Sequence, residues 1–186
     1  GGRVSWRERL ARLPERFDGF DARVDRLWDR GRGHPVVDRV MYTASEMGDF
    51  GVVWMGVGAV AALSGRPEHG RALVRLAGAL AVESLIVNQG IKRLFRRERP
   101  SWEDRPHDLR TPSTSSFPSG HATSAMTALV LLSETTGPAT PVIAAAGVVV
   151  ASSRVHVRIH HASDVAGGLV VGAVLGLAIR RLFPVS

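Results

Sequence analysis

The chain has 186 residues, enough for one domain with a continuous core. It contains no Cys, which excludes disulfide scaffolds, thiolate metal sites and Cys nucleophiles. Its 24 Lys+Arg against 17 Asp+Glu give a net charge of +7, almost all of it from Arg, so nucleic acid, acidic lipid and phosphorylated substrates all stay open as partners. The mean hydropathy of +0.05 averages a heavily charged first 35 residues with a much more apolar remainder.

From Arg3 to Arg32, Arg alternates with Asp or Glu, while Trp6, Leu10, Leu13, Phe17, Phe20, Val24, Leu27 and Trp28 recur at three- and four-residue steps. The spacing predicts an amphipathic helix, broken near Pro14 and Gly19. It packs on its own domain or lies in a lipid headgroup region; the apolar segments that follow favour the second reading. Residues 36–47 add a further short helix. Five apolar segments come next, at 50–63, 72–91, 121–132, 139–152 and 165–183. The second and fifth approach the ~20 residues that span a bilayer, and Gly and Ala are frequent within them, as close helix packing in membranes requires. Arg75, Glu83, Asn88 and Gln89 in the second segment are expected to point into the bundle or snorkel. Five crossings would put residues 1–49, 92–118 and 154–163 on one side of the membrane and 64–71 with the C-terminus on the other.

Three polar clusters fall at the membrane-facing ends of the same-side loops. In KRLFRRERP (92–100), Lys92 and Arg99 are seven apart and would share a helix face, as a headgroup anchor or as a phosphate grip. SFPSGHATSAM (116–126) sets Pro118, Ser119, Gly120 and His121 before an apolar run. It reads either as a turn with a Ser N-cap or as an anion site made of helix-start N–H groups and a proton donor. In SRVHVRIHHASD (153–164), His160 and Asp164 are four apart, hence neighbours on a helix, as a structural hydrogen bond or an oriented imidazole. Glu46 and Asp49, in SEMGDFG, read as helix-closing residues or as partners of an Arg of the site, with the structural reading favoured.

Together these residues resemble the type 2 phosphatidic acid phosphatase (PAP2) superfamily, whose pattern is K-x6-RP, PSGH and SR-x5-H-x3-D. Lys92 to Arg99-Pro100, Pro118 to His121, and Ser153-Arg154 through His160 to Asp164 match it completely and in order. The resemblance implies a catalytic set of His160 as nucleophile, Asp164 as its orienting carboxylate and His121 as general acid. It implies a phosphate-binding set of Lys92, Arg99, Ser119, Gly120 and Arg154, with no metal and no cofactor. At His156, Arg158 and His161 related sequences often carry an aromatic residue, Gly and Tyr, so these three read as bystanders.

The expected fold is an all-α, polytopic membrane bundle of about five to six helices with an amphipathic N-terminal helix. Residues 1–35 form an interfacial segment and 36–186 the phosphatase domain. The expected function is a membrane lipid phosphatase acting on a phosphatidate-like or polyprenyl phosphate or diphosphate through a phosphohistidine. The alternatives are a soluble acid phosphatase or vanadium haloperoxidase-like relative, and a non-catalytic basic lipid-binding module. The partners implied are a phosphorylated lipid and the bilayer, not nucleic acid. Since the sequence looks most like actinobacterial members, some fused to a lipid kinase domain, fusion to or association with such a lipid enzyme is also implied. The resemblance places the active site on the extracytoplasmic face of a bacterial cell membrane, whereas the excess of Arg on the motif side would by itself read as cytoplasmic.

Overall fold

The computed structural model describes residues 14–100, 109 and 112–185. The expectations attached to Trp6, Leu10 and Leu13 lie outside the described residues. A 3₁₀ turn, Pro14–Phe17, leads into α1 (Asp18–Trp28). The break expected at Gly19 does not occur: Asp18 and Asp21 complement the positive helix start and the helix runs through the glycine. Helix α2 (Pro35–Met47) begins on a Pro, whose fixed φ and missing N–H suit that position. It is followed by α3 (Val52–Ala62) and α4 (Pro67–Leu85). Helix α4 widens into a π-helical turn, Ile86–Ile91, and closes with Lys92–Leu94. After the connecting segment come α5 (Gly120–Thr136), α6 (Thr140–His156) and α7 (Ala162–Leu182). Among the described residues there is no strand.

The densest packing is between α5 and α7, where small residues let two backbones meet. Gly168, Gly172 and Gly176 share one face of α7, and a Cβ on Gly172 would stand 2.3 Å from the Thr123 carbonyl oxygen. Around this pair Trp54, Leu76, Leu131, Leu132 and Ile143 form the core. The outer flanks are apolar as well: Val60, Leu63, Val74, Val82, Val142, Val148, Val170 and Val174 are exposed. A water-facing bundle would place polar residues there, so these flanks are lipid-facing surface. By length and composition, the stretches Gly120–His156 and Ala162–Leu182 suffice to cross a membrane.

The polar residues of the second segment divide between bundle and surface. Glu83 is buried, and Arg75 is bonded to Glu134 and to the Leu131 and Phe183 carbonyls. Asn88 bonds Ser84 one turn back, and Gln89 is exposed on the flank against Arg93.

Candidate active site

Five of the expected residues, Lys92, Gly120, His121, Arg154 and His160, line one cavity of about 620 Å³ at the end of the bundle where α4 stops and α5 and α7 start. The other three adjoin it through His160 and the α5 start. Arg99 bonds His160, Asp164 lies behind the ring, and Ser119 is the buried residue just before Gly120.

The local geometry differs from what spacing alone implied. Lys92 and Arg99 do not share a helix face, because the helix ends at Leu94 and Phe95 is extended. The chain then runs outward, and Arg99 reaches back: its Nε donates to the Pro112 carbonyl, and its Nη1 to the Ile159 carbonyl (2.8 Å) and to His160 Nε2 (3.2 Å). Lys92 gets its position from the π-helical turn, which inserts extra backbone between Glu83 and Lys92 and brings both onto the cavity wall.

The pair His160 and Asp164 also meets without sharing a helix. Helix α7 begins only at Ala162, and His161 is its N-cap. The loop before it folds back on α6: the Ile159 and His160 N–H groups both donate to the Arg154 carbonyl at 3.1 Å, and Arg158 adopts φ +47°. That left-handed conformation explains why Gly suits this position; here Arg158 offsets the strain by pairing with Asp29 at 2.7 Å. Asp164 Oδ2 accepts the His161 N–H at 2.9 Å and lies 3.7 Å from His160 Nδ1. Its Oδ1 accepts from Arg97 Nη1 at 2.8 Å. Since Arg99 donates to Nε2, the His160 proton belongs on Nδ1, facing the carboxylate, and the lone pair on Nε2. Burial, reinforced by Arg154 and Arg99 and opposed by Asp164, pushes His160 down to about 3, so the ring is neutral at physiological pH.

Ser119 stands at the N-cap of α5 with extended backbone, but its hydroxyl caps nothing; Oγ is buried without a protein partner, like Arg154 Nε. Its N–H donates to the Asp164 carbonyl at 3.0 Å, which ties the second motif to the third. His121 Nε2 donates to the Ser45 carbonyl at 2.9 Å and lies 3.3 Å from Asp49 Oδ1. Its ring rests on Gly48, where a Cβ would come within 2.5 Å of it. Arg154 Nη1 bonds the Ser45 hydroxyl. Thus the end of α2 supports both His121 and Arg154, a role the sequence did not reveal. Asp49, read as a helix-closing residue or a partner of a site Arg, lines the cavity; its place within a GDFG turn was the one available signal.

The three bystander positions stay off the cavity wall. His156 is fully buried, its Nε2 2.9 Å from Asp38 Oδ1, and edge-on to Trp28 and Tyr42. Arg158 and Arg32 bind Asp25 and Asp29, and Arg32 also bonds the Val155 and His156 carbonyls. The alternating charges of the N-terminal region therefore join α1 to the end of α6.

The PAP2 superfamily pattern matches residues 72–186. The chain belongs to the PAP2 superfamily. It is 35% identical over 149 residues to a decaprenylphosphoryl-5-phosphoribose phosphatase of Mycobacterium tuberculosis, covering 77% of this chain and 82% of that protein. It is 38% identical over 136 residues to the Mycolicibacterium smegmatis protein of the same name, covering 73% of each. In fold it is similar to a transmembrane PAP2 type phosphatidylglycerolphosphate phosphatase from Bacillus subtilis, with a TM-score of 0.66 at 19% identity over 92% of this chain and 88% of that one. This PAP2 protein is an all-helical membrane bundle, and its relatives are phosphatases.

Proposed function

We propose that this PAP2 protein is a lipid phosphatase that removes a terminal phosphate from a polyprenyl-phosphate-linked sugar or a closely related lipid, through a phosphohistidine on His160. The observation that carries the reading is the convergence of three cations, Lys92 and Arg154 on the wall beside His121 and Arg99 bonded to His160, at a cavity also lined by Met55, Ala77, Leu80 and Ala81. Cations grip the phosphate and the apolar wall takes the lipid. Glu83, Ser84 and Asn88 line the same cavity and offer acceptors and donors to sugar hydroxyls, in keeping with the substrate named for the mycobacterial relatives.

Phosphoryl transfer needs in-line attack and stabilisation of negative charge on the equatorial oxygens. His160 Nε2 attacks phosphorus as the bond to the leaving oxygen breaks, and His121 donates the proton that oxygen takes. Lys92, Arg99, Arg154, the Ser119 hydroxyl and the Gly120 N–H hold the equatorial oxygens. Asp164 stabilises the charge on the phosphorylated ring. Water then attacks the phosphohistidine, gives its proton to His121 and releases phosphate. With positive charge supplied by side chains, the reaction proceeds without a metal, and activity survives excess EDTA. Helix α1 lies in the headgroup region, with Phe17, Phe20 and Leu27 outward. The site faces the extracytoplasmic side of a bacterial cell membrane; a single Cys at Ser113 labelled in intact cells by an impermeant maleimide supports that side, and protection until lysis reverses it.

The test is phosphate release from a panel of phosphatidate, phosphatidylglycerol phosphate, undecaprenyl diphosphate and a polyprenylphosphoryl pentose phosphate, with ³²P trapping of the enzyme. Acid-labile, alkali-stable label at His160 and preference for the sugar phosphate support the reading. Label that survives acid, or persists in His160→Ala, overturns the mechanism.

A further inference from the structure

Arg97 is buried beneath the site, outside the motif positions, and its guanidinium joins two carboxylates from opposite ends of the sequence. Nη1 donates to Asp164 Oδ1 at 2.8 Å and to the Ser163 hydroxyl at 2.6 Å. Nη2 donates to Asp21 Oδ2 at 2.6 Å and reaches Asp18 Oδ1 at 3.2 Å. The Asp21 carboxylate also accepts the Ser163 N–H and hydroxyl, both at 2.7 Å. Side-chain exposures of 5% for Arg97, 6% for Asp21 and 0% for Asp164 set this row apart from the surface ion pairs of the N-terminal region. Asp18, at 70% exposure, is its solvent end.

We propose that Asp21, delivered by α1, is a positioning residue for the phosphatase site, acting through Arg97 on the carboxylate that orients His160. The inference rests on the role given to Asp164 above. Two negative charges share one guanidinium. With Asp21 in place, Arg97 is only partly neutralised by Asp164, and Asp164 keeps enough negative charge to hold the Nδ1 proton and balance the charged, phosphorylated ring. Without Asp21 the whole guanidinium charge falls on Asp164, and its pull on the His160 ring weakens. Asp21 also fixes the first turn of α7 through the Ser163 N–H, one residue from the carboxylate itself. Helix α1 is thereby part of the machinery rather than only an anchor.

The experiment uses the full chain in detergent or vesicles with an aryl phosphate and with the lipid substrate. Asp21→Asn keeps the Oδ1 acceptor for the Ser163 N–H and removes the charge together with the Oδ2 acceptor of Arg97 Nη2 and the Ser163 hydroxyl; kcat should fall about tenfold with KM within about twofold. Asp18→Asn, on the same guanidinium nitrogen but in solvent, should leave kcat within about twofold. In an Asp164→Asn background, Asp21→Asn should change kcat less than about twofold, because the group it acts through is gone. Multiplying losses, a loss confined to KM, or wild-type kcat for Asp21→Asn overturns the proposal. If Asp21→Asn does not yield folded protein, Asp21→Glu is measured against the same cycle, and additive losses overturn the proposal equally. Wild-type kcat for Asp164→Asn would instead overturn the mechanism on which the proposal rests.

Discussion

Both ends of the bundle bury cations and a histidine, yet they use them differently. At the end away from the cavity, His69 has both ring nitrogens occupied: Nδ1 lies 2.6 Å from the Ser64 hydroxyl and 2.8 Å from the Ala61 carbonyl, and Nε2 is 3.0 Å from the Thr135 carbonyl. Arg75 bonds Glu134, Leu131 and Phe183, Arg180 adds a second cation on Glu134, and Arg71 bonds the Val185 carbonyl. These groups close the helix ends on themselves. At the cavity end, His160 has a cation on one nitrogen and a carboxylate 3.7 Å from the other, while Ser119 Oγ and Arg154 Nε are buried without protein partners. A buried polar group left unpaired costs about 1–3 kcal/mol; Arg75 Nε is unpaired at the far end too, so what sets the cavity end apart is that Arg154 and His160 line an open cavity.

The largest effect expected from this contrast separates the two histidines. His160→Ala should lower kcat by at least about 10³-fold and abolish ³²P labelling, whereas His69→Ala should lower the thermal midpoint and keep kcat of the folded protein within about threefold. Comparable losses of kcat in both variants would erase the distinction. Next in size is His121→Ala, which should slow lipid turnover by about 10²–10⁴-fold. An aryl phosphate, with its good leaving group, should still phosphorylate the variant and let labelled enzyme accumulate; absence of label would reassign the general acid.

Gly48→Ala tests how the cavity end is supported. A Cβ there would meet the His121 ring at 2.5 Å and Val150 at 2.9 Å, so kcat should drop about tenfold through displacement of the ring. A change in thermal midpoint with kcat intact would show that the contact serves only packing. Glu134→Gln at the far end should cost about 1–3 kcal/mol of stability, read as a lower thermal midpoint, and leave both kcat and KM within about twofold.

The smallest effect concerns pH. With His160 lowered to about 3 by burial, its neutral form dominates well into acid. Carbethoxylation of His160, followed by peptide mass mapping, should therefore keep a constant rate as pH falls from 7 to about 5. A midpoint near 6.5 would show an imidazole as solvated as an ordinary surface histidine.

Much of this was legible beforehand because the information is local. The apolar segments at 121–132, 139–152 and 165–183 fall on α5, α6 and α7, the last two overrunning their helix by one residue, since a helix that must face lipid or a core needs a continuous apolar run. Lys92, Gly120, His121, Arg154 and His160 line the cavity, and Arg99, Ser119 and Asp164 adjoin it. The reasons offered for individual pairs were less sound. His160 with Asp164, and Lys92 with Arg99, were argued from helix spacing, but the first pair is joined across an N-cap and the second across an extended segment. The residues that spacing could not reveal, Asp21, Ser45, Gly48 and Arg97, act at sequence separations of 66 to 142 residues, and no local periodicity encodes a partner at that distance.

By itself the sequence determined that the chain is helical and largely apolar, that three basic or histidine-bearing clusters lie on one side of it, and which side chains those clusters contain. These follow from hydrophobic periodicity, chain connectivity and residue chemistry, which are properties of neighbours along the chain. Only the tertiary structure decided that a π-helical turn aims Lys92 inward, that Arg158 reverses the chain so that His160 returns to Arg154, and that Asp21 reaches Asp164 through Arg97. Each depends on where one helix ends against another, and that position is set by packing between distant segments.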